Sequence, residues 1–242
     1  MINKNELKYI QSFAHKKHWA QESVFIVEGP KMVKELLTAD WELQNIYATA
    51  DWADDMEDPN LPITIVEEVE LERMSLLQTA NKVMAIVKKK QYDTPLIYDN
   101  KITLVLDGIQ DPGNLGTIIR TADWFGCHQI IASEDTADFY NPKVIQSTMG
   151  SFLRVRMEKL SLESLLTQQT LPIYGAMLEG SSLKTTPIKA PGFLVIGNES
   201  KGIRPVIKSK ITQGILIPKF GEAESLNAAV ATGILLSHWK LS

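Results

Sequence analysis

Cysteine is almost missing from this 242-residue sequence, in which Cys127 stands alone. An intrachain disulfide needs two cysteines, so a disulfide scaffold is excluded and a reducing, cytoplasmic setting is expected. Histidine is scarce too, with four residues scattered along the chain. One thiol and four dispersed imidazoles do not make a zinc site of the usual ligand types, and no metal is expected. No stretch approaches the roughly 18 consecutive apolar residues of a membrane span. The opening Met1-Ile2-Asn3-Lys4-Asn5-Glu6 is too polar for the apolar core of a secretion signal. A large excess of one charge is also lacking, since 25 basic residues face 29 acidic ones for a net charge of −4. Residues 1–90 carry 11 basic and 15 acidic side chains, and residues 91–242 carry 14 of each. Such a chain does not coat a polyanion by bulk charge, so any such binding must come from local patches.

What is present reads as ordinary globular composition, 44% apolar and 22% charged. The length suits one large domain or two small ones, and no internal repeat stands out. Residues Glu6–Lys17 read as a helix, with Leu7, Ile10, Phe13 and Ala14 on one face. Val24–Val27 is a short apolar strand, and Pro30 suits the first turn of a helix through Leu37. Strands are expected at Asn45–Thr49, Ile63–Val66 and Met84–Val87, with a helix from Glu67 to about Leu77. Lys88–Pro95 reads as a polar linker, which divides the chain into domains 1–94 and 95–242.

The second part changes style. Ile102–Leu106 is continuously apolar, as expected of a strand covered on both faces in a parallel sheet. Further strands are expected at Gln129–Ala132, Phe152–Arg156, Ile173–Met177, Gly192–Ile196 and Gly214–Ile217. Helices are expected at Thr117–Phe125, Asn141–Met149 and Leu162–Gln169, and from about Ser225 or Leu226 to Trp239. The alternation predicts an α/β fold with a mostly parallel sheet, preceded by a small N-terminal α/β domain.

In such sheets ligands bind outside the carboxyl ends of the strands. Three loops there carry glycine and polar residues. The first, Asp107–Gly116, leads into a helix bearing Arg120, whose planar fork of donors suits phosphate. The second is Gly197-Asn198-Glu199-Ser200-Lys201-Gly202, and the third runs from Ile217 to Asn227. Neither the dinucleotide fingerprint nor a phosphate-cradling P-loop is present. Taken singly, the loops read equally as glycine turns and helix caps. Their ordered recurrence at three strand ends is what points to a site.

These loops resemble the three motifs of the SpoU (TrmH) family of RNA ribose 2′-O-methyltransferases, of the SPOUT class. Asn114, Gly116 and Arg120 match the first motif; Gly197, Glu199 and Gly202 match the second. Ile217, Pro218, Gly221, Ser225, Leu226 and Asn227 match the third. The resemblance spans about residues 102–240, and Phe25-Ile26-Val27-Glu28-Gly29 resembles the ribosomal-protein-like substrate-binding domain common in the family. There are departures. Lys219 replaces a frequent methionine, Ala228-Ala229 replace valine-serine, and Lys16-Lys17-His18-Trp19 lacks the arginine of the usual basic cluster.

The resemblance implies a deep trefoil knot between about Gly192 and Leu241, S-adenosylmethionine as cofactor, and a homodimer through the C-terminal domain. It implies catalytic roles for Arg120, Asn114, Glu199, Ser225 and Asn227, with Arg120 either a base or, more safely, a phosphate orienter. Cofactor contacts are implied for Gly197, Ile217 and Leu226, and for Met177, where core packing is the competing reading. RNA contacts are implied for Lys16, Lys17, His18 and Lys31, against the plainer reading of a solvated basic face. The substrate expectation is RNA, leaning towards ribosomal over transfer RNA. Two alternatives are a non-catalytic RNA-binding protein that kept the fold and a different nucleotide-binding α/β enzyme such as a dehydrogenase.

Overall fold

A computed structural model describes residues 2–98 and 100–241, and the side chain of His18 lies outside the described residues. Two compact units emerge, Met1–Asp93 with Tyr140–Leu153, and Thr94–Phe139 with Arg154–Ser242. The segment 140–153 therefore departs from the single division at residue 94 suggested by the linker.

The first unit opens with α1 (Lys4–Ser12) and α2 (Lys16–Trp19), two helices where one had been expected over 6–17. They are followed by β1 (Val24–Glu28), α3 (Pro30–Leu37), β2 (Leu43–Ala48), α4 (Ala50–Asp54), β3 (Ile63–Ile65), α5 (Glu68–Met74) and β4 (Val83–Lys88). The strands form one sheet in the order β1-β4-β2-β3, antiparallel except for the β2–β3 pair. All five residues of β1 are buried, because the sheet is covered on both faces. On one face Ile10, Phe13 and Trp19 join Ile26, Tyr47 and Met84 in a core. Trp19, in the basic run Lys16–Trp19, is buried in this core and presents no exposed ring face to a ligand.

The chain continues through β5 (Ile102–Asp107), α6 (Pro112–Trp124), β6 (Gln129–Ala132), α7 (Pro142–Thr148) and a short 3-10 turn at Ser151–Leu153. It then forms β7 (Arg156–Lys159), α8 (Leu162–Thr167), β8 (Ile173–Ser182), β9 (Gly192–Gly197), α9 (Pro205–Lys208), β10 (Gln213–Leu216) and α10 (Ala228–Leu241). The six strands β5–β10 make the sheet of the second unit, wholly parallel in the order β10-β8-β9-β5-β6-β7. β5 is central and buried at every residue, as its unbroken apolar run requires. Around it Val105, Ile131, Phe193 and Val195 pack with Leu162, Leu166 and Ile207 from the covering helices.

The expected strand at Phe152–Arg156 is a correction. Phe152 lies in the 3-10 turn, and the strand starts at Arg156. The apolar alternation there reflects burial: Phe152 sits edge-on to Phe25 and Trp41, ring centroids 5.6 Å from each, and Tyr140 lies 4.7 Å from Phe25. These aromatic contacts, with the Trp41 indole N–H donating to the Leu153 carbonyl at 3.4 Å, hold 140–153 in the first unit. Cys127 is buried, and that burial pushes its thiol up to about 12. None of the described helices is long and apolar enough to cross a membrane.

The aromatic cluster makes Phe152→Ala a sharp test of the packing. Truncating a wholly buried phenylalanine is expected to cost about 3–5 kcal/mol, read as a shift in the urea midpoint without a change in slope. A loss below about 1 kcal/mol, the range of a surface change, would mean that 140–153 is not held by this cluster.

Candidate active site

The site is built where parallel strands end together. β5 and β9 run in register from Ile102 opposite Gly192 to Asp107 opposite Gly197, so the loops after both strands leave from one rung. After β5, Asp111 caps α6 by accepting the Asn114 backbone N–H at 2.7 Å, and Pro112 occupies the first turn. The helix thus begins five residues earlier than the expected Thr117. Leu115, Ile118, Ile119 and Ala122 bury one face of α6, which orients its first turn.

That turn carries Asn114, which joins all three loops. Its amide Nδ2 donates to Glu199 Oε1 at 3.0 Å, and its Oδ1 accepts from Asn227 Nδ2 at 2.8 Å. Asn227 in turn caps α10, its Oδ1 accepting the backbone N–H groups of Ala229 at 2.9 Å and Val230 at 3.3 Å. One continuous chain, Glu199–Asn114–Asn227, therefore links residues far apart in sequence. The direction of donation is set by chemistry: the Glu199 carboxylate only accepts, so Asn114 must present its NH₂ there and its oxygen to Asn227. Glu199 does not cap a helix, as one reading of its loop allowed; it anchors Asn114.

Two glycines shape the Glu199 loop for different reasons. A side chain on Gly197 would overlap the Gly202 backbone, with its Cβ 2.7 Å from the Gly202 carbonyl oxygen. Gly202 has open space around it but adopts φ +68°, a left-handed conformation that favours glycine. The loop closes on itself through Asn198 N–H to Gly202 O at 3.0 Å and Gly202 N–H to Asn198 O at 2.9 Å.

Sequence reasoning missed three residues of this loop's foundation. Asp107 is fully buried at the end of β5. It accepts the Arg204 backbone N–H at 2.8 Å and the Arg204 Nε at 2.6 Å, with Arg204 Nη2 at 2.5 Å. Asn198 Nδ2 donates to the Gly108 carbonyl at 2.7 Å. The signal was present: an aspartate closing a wholly apolar strand must find a partner. Asp135, 3.6 Å from Arg204 Nη1, has its carboxyl held below the usual range by the Ser133 hydroxyl and then by the Arg204 charge.

The remaining predicted residues fall into groups. Arg120, on α6, is exposed and makes no hydrogen bond or ion pair among the described residues. Ser225 is exposed in the third loop, which the structure places before α10 rather than inside it. Ile217 is half-buried and Leu226 is 47% exposed. Met177 lies in a stretch of β8 that bulges away from β10, where pairing jumps from Gly175 to Ser181. Its Cε would stand 2.8 Å from a Cβ on Gly214, so part of its side chain packs on β10. Lys16, Lys17 and Lys31 are exposed in the first unit, on α2 and α3. The side chain of His18, expected beside them, lies outside the described residues. No cluster of metal-binding side chains occurs among the described residues.

Two known families match separate parts of the chain. Residues 101–237 match the SpoU rRNA Methylase family, and residues 4–85 match an MRM3-like substrate binding domain. The 23S rRNA (guanosine(2553)-2′-O)-methyltransferase RlmP of Bacillus subtilis is 29% identical over 229 residues, 92% of this chain and 91% of its own. A TrmH-family protein from Porphyromonas gingivalis superposes with a TM-score of 0.91 at 36% identity, covering 100% of this chain and 99% of the other. An rRNA methyltransferase from Sinorhizobium meliloti with S-adenosylmethionine bound gives 0.88 at 26% identity, covering 100% and 96%.

The two loop glycines separate close approach from backbone conformation. Gly197→Ala is expected to cost about 2 kcal/mol or more, because backbone must move, whereas Gly202→Ala should cost about 1–2 kcal/mol, the left-handed penalty alone. Denaturant unfolding of the two variants checks the order; a Gly197→Ala protein as stable as wild type would contradict the packing described.

Proposed function

The chain belongs to the SpoU rRNA methylase family, and from that premise we propose that it transfers a methyl group from S-adenosylmethionine to a ribose 2′-hydroxyl of ribosomal RNA. The observation that carries the reading is the Glu199–Asn114–Asn227 chain, which draws all three motif loops to one point. The MRM3-like segment fits an enzyme whose first unit holds its RNA, and the exposed Lys16, Lys17 and Lys31 are proposed as phosphate contacts there. That reaction also supports a cytoplasmic setting for the protein, beside the ribosomal RNA it would act on.

The donor set of the second unit fits the cofactor. Ile217, Met177 and the half-exposed Leu226 offer apolar surface to an adenine, and the strand-end loops at Gly197 and Ile217 present backbone donors and acceptors. When bound, the cofactor supplies an electrophilic methyl on a sulfonium. The rest falls to the chain's own residues. Arg120 keeps its donors free of partners among the described residues, so its fork is available to the nucleotide's phosphate or hydroxyl. An arginine is a poor base at neutral pH, so orienting the phosphate is the role we assign it. Asn114 is held from both sides and presents a fixed edge of the site, while Ser225, in the same loop as Asn227, offers a hydroxyl to the substrate. Holding the reacting oxygen in line supplies much of the barrier reduction such a transfer needs.

Two further features complete the proposal. The C-terminal course, from β9 through α9 and β10 and back to α10 packed on α6, supports a trefoil knot between about Gly192 and Leu241. An apolar strip on those two helices supports a homodimer: Trp124 is 85% exposed, with Val230, Ile234 and Leu241 also exposed.

Labelled S-adenosylmethionine, incubated with ribosomal RNA lacking the modification and separately with transfer RNA, tests the reaction. Label is expected on a ribose 2′-oxygen of ribosomal RNA, and Arg120→Ala should lower kcat/KM about 10²-fold or more, the scale of a lost positioning group. Cofactor binding without transfer to either RNA would reject the substrate assignment. Trp124→Glu should shift the molar mass in light scattering from dimer to monomer; wild type running as a monomer would remove the dimer.

A further inference from the structure

We infer that Asp107, Asn198 and Arg204 form a two-point clamp that positions Glu199, and through it Asn114, for the transfer reaction. The inference rests on the function proposed above and names residues outside the three motifs' matched positions. None of the three touches the proposed cofactor or substrate groups, so they are positioning residues.

The geometry is a closed circuit. The loop 198–204 is fastened at both ends to consecutive residues of one strand end. At its start, Asn198 Nδ2 holds the Gly108 carbonyl at 2.7 Å. At its finish, Arg204 gives Asp107 three donors, from backbone N, Nε and Nη2, at 2.5–2.8 Å. Between the anchors the Asn198 Oδ1 accepts the Ser200 and Lys201 N–H groups, each at 3.0 Å. Glu199 leaves this braced turn and accepts from Asn114 at 3.0 Å. Asn114 is seven residues beyond Asp107 on the same chain, so the circuit runs from Asp107 through the loop to Asn114 and back along the start of α6.

A buried carboxylate left without its partner is costly, so the Asp107 position dictates where Arg204 must sit. Gly108 is itself tied, its N–H donating to Ser133 Oγ at 2.9 Å. Arg204 also reaches Asp135 at 3.6 Å, which links the ends of β5, β9 and β6. The Arg204 side chain remains 45% exposed while the Asp107 side chain is wholly covered. The pair therefore lies at the rim of the crevice and not in the apolar core between sheet and helices. Cutting either anchor frees one end of the turn that carries Glu199.

The test combines a cofactor-free readout with a kinetic one. Native-state amide exchange over residues 198–203, Gly202 above all, should accelerate at least 10-fold in Arg204→Ala and in Asn198→Ala, while exchange in the β5 core stays unchanged. With S-adenosylmethionine and RNA, Arg204→Ala should lower kcat roughly 10–100-fold, and Arg204→Lys should recover part of it, since a lysine supplies charge without the fork. In a Glu199→Gln background, adding Arg204→Ala should cost less than about 3-fold, because residues acting as one unit are not additive. Losses that multiply in the double variant, or exchange at 198–203 that does not respond, would overturn the clamp. Where Arg204→Ala fails to fold, Arg204→Lys and Asn198→Ala carry the same comparison. Wild type that transfers no methyl would defeat the functional reading alone, and the exchange arm would still decide the clamp.

Discussion

Asp107 and Gly197 share the last rung of the β5–β9 ladder, and the site depends on that register. Parallel strands send their connections out at one end of the sheet, so this rung sets two loops, 90 residues apart in sequence, side by side. A slip by one residue would exchange the two buried faces of β5 and carry Asp107 away from Arg204. With the register set, the Asp111 cap starts α6 and Asn114 arrives in its first turn, facing the Glu199 loop. The third loop then needs only to bring Asn227 within reach, and that residue is fixed already by capping α10.

The molecule separates charges that are paired within the structure from charges that stand exposed. Asp107 and Arg204 are structural, paired at the cost of desolvating one carboxylate. So is most of the basic run at the end of β4: Lys88 pairs with Glu42, Lys89 donates to the Trp19 carbonyl at 2.8 Å, and Lys90 lies 3.4 Å from Asp40. These surface pairs contribute little stability each, but they leave that run a poor phosphate site despite its composition. Lys16, Lys17, Lys31 and Arg120 carry their charge on exposed side chains instead. An overall negative protein can therefore still present positive charge locally, as the even balance of its second part had required of any RNA binder.

Some of this was legible before any coordinates. The unbroken apolar run of Ile102–Leu106 announces a parallel strand covered on both faces, because only such a strand can bury every side chain. Asn114, Glu199 and Asn227 stood out because the three loops that carry them follow strands in order and resemble the three motifs of the SpoU family. Other features were legible only in part. The alternation in 152–156 looked like a strand, yet Phe152 was responding to Phe25 and Trp41, more than 100 residues earlier. Periodicity reports that a side chain is buried and not against what. The first helix was read as continuous because Ala14 extends its apolar face, while the chain breaks after Ser12 and restarts at Lys16. Asp107 passed unremarked as the first residue of a loop, although an aspartate closing a wholly apolar strand demands a partner; that the partner is Arg204, 97 residues later, only the fold shows.

The sequence by itself determined the element types, the parallel character of the second sheet and the residue types gathered at its strand ends, because these follow from local periodicity, glycine and capping chemistry. The tertiary structure alone decided which of those residues touch. Asn114 could have capped its own helix or faced water; it is the β5–β9 register that aims it at Glu199, and the start of α10 that delivers Asn227 to its other side. It also decided that 140–153 belongs with the first unit, through an aromatic cluster assembled from three separate stretches of chain. Local sequence carries the hydrogen-bonding capacity of each group, but the pairing of distant groups is set by the packing that brings their donor and acceptor atoms within about 3 Å of one another.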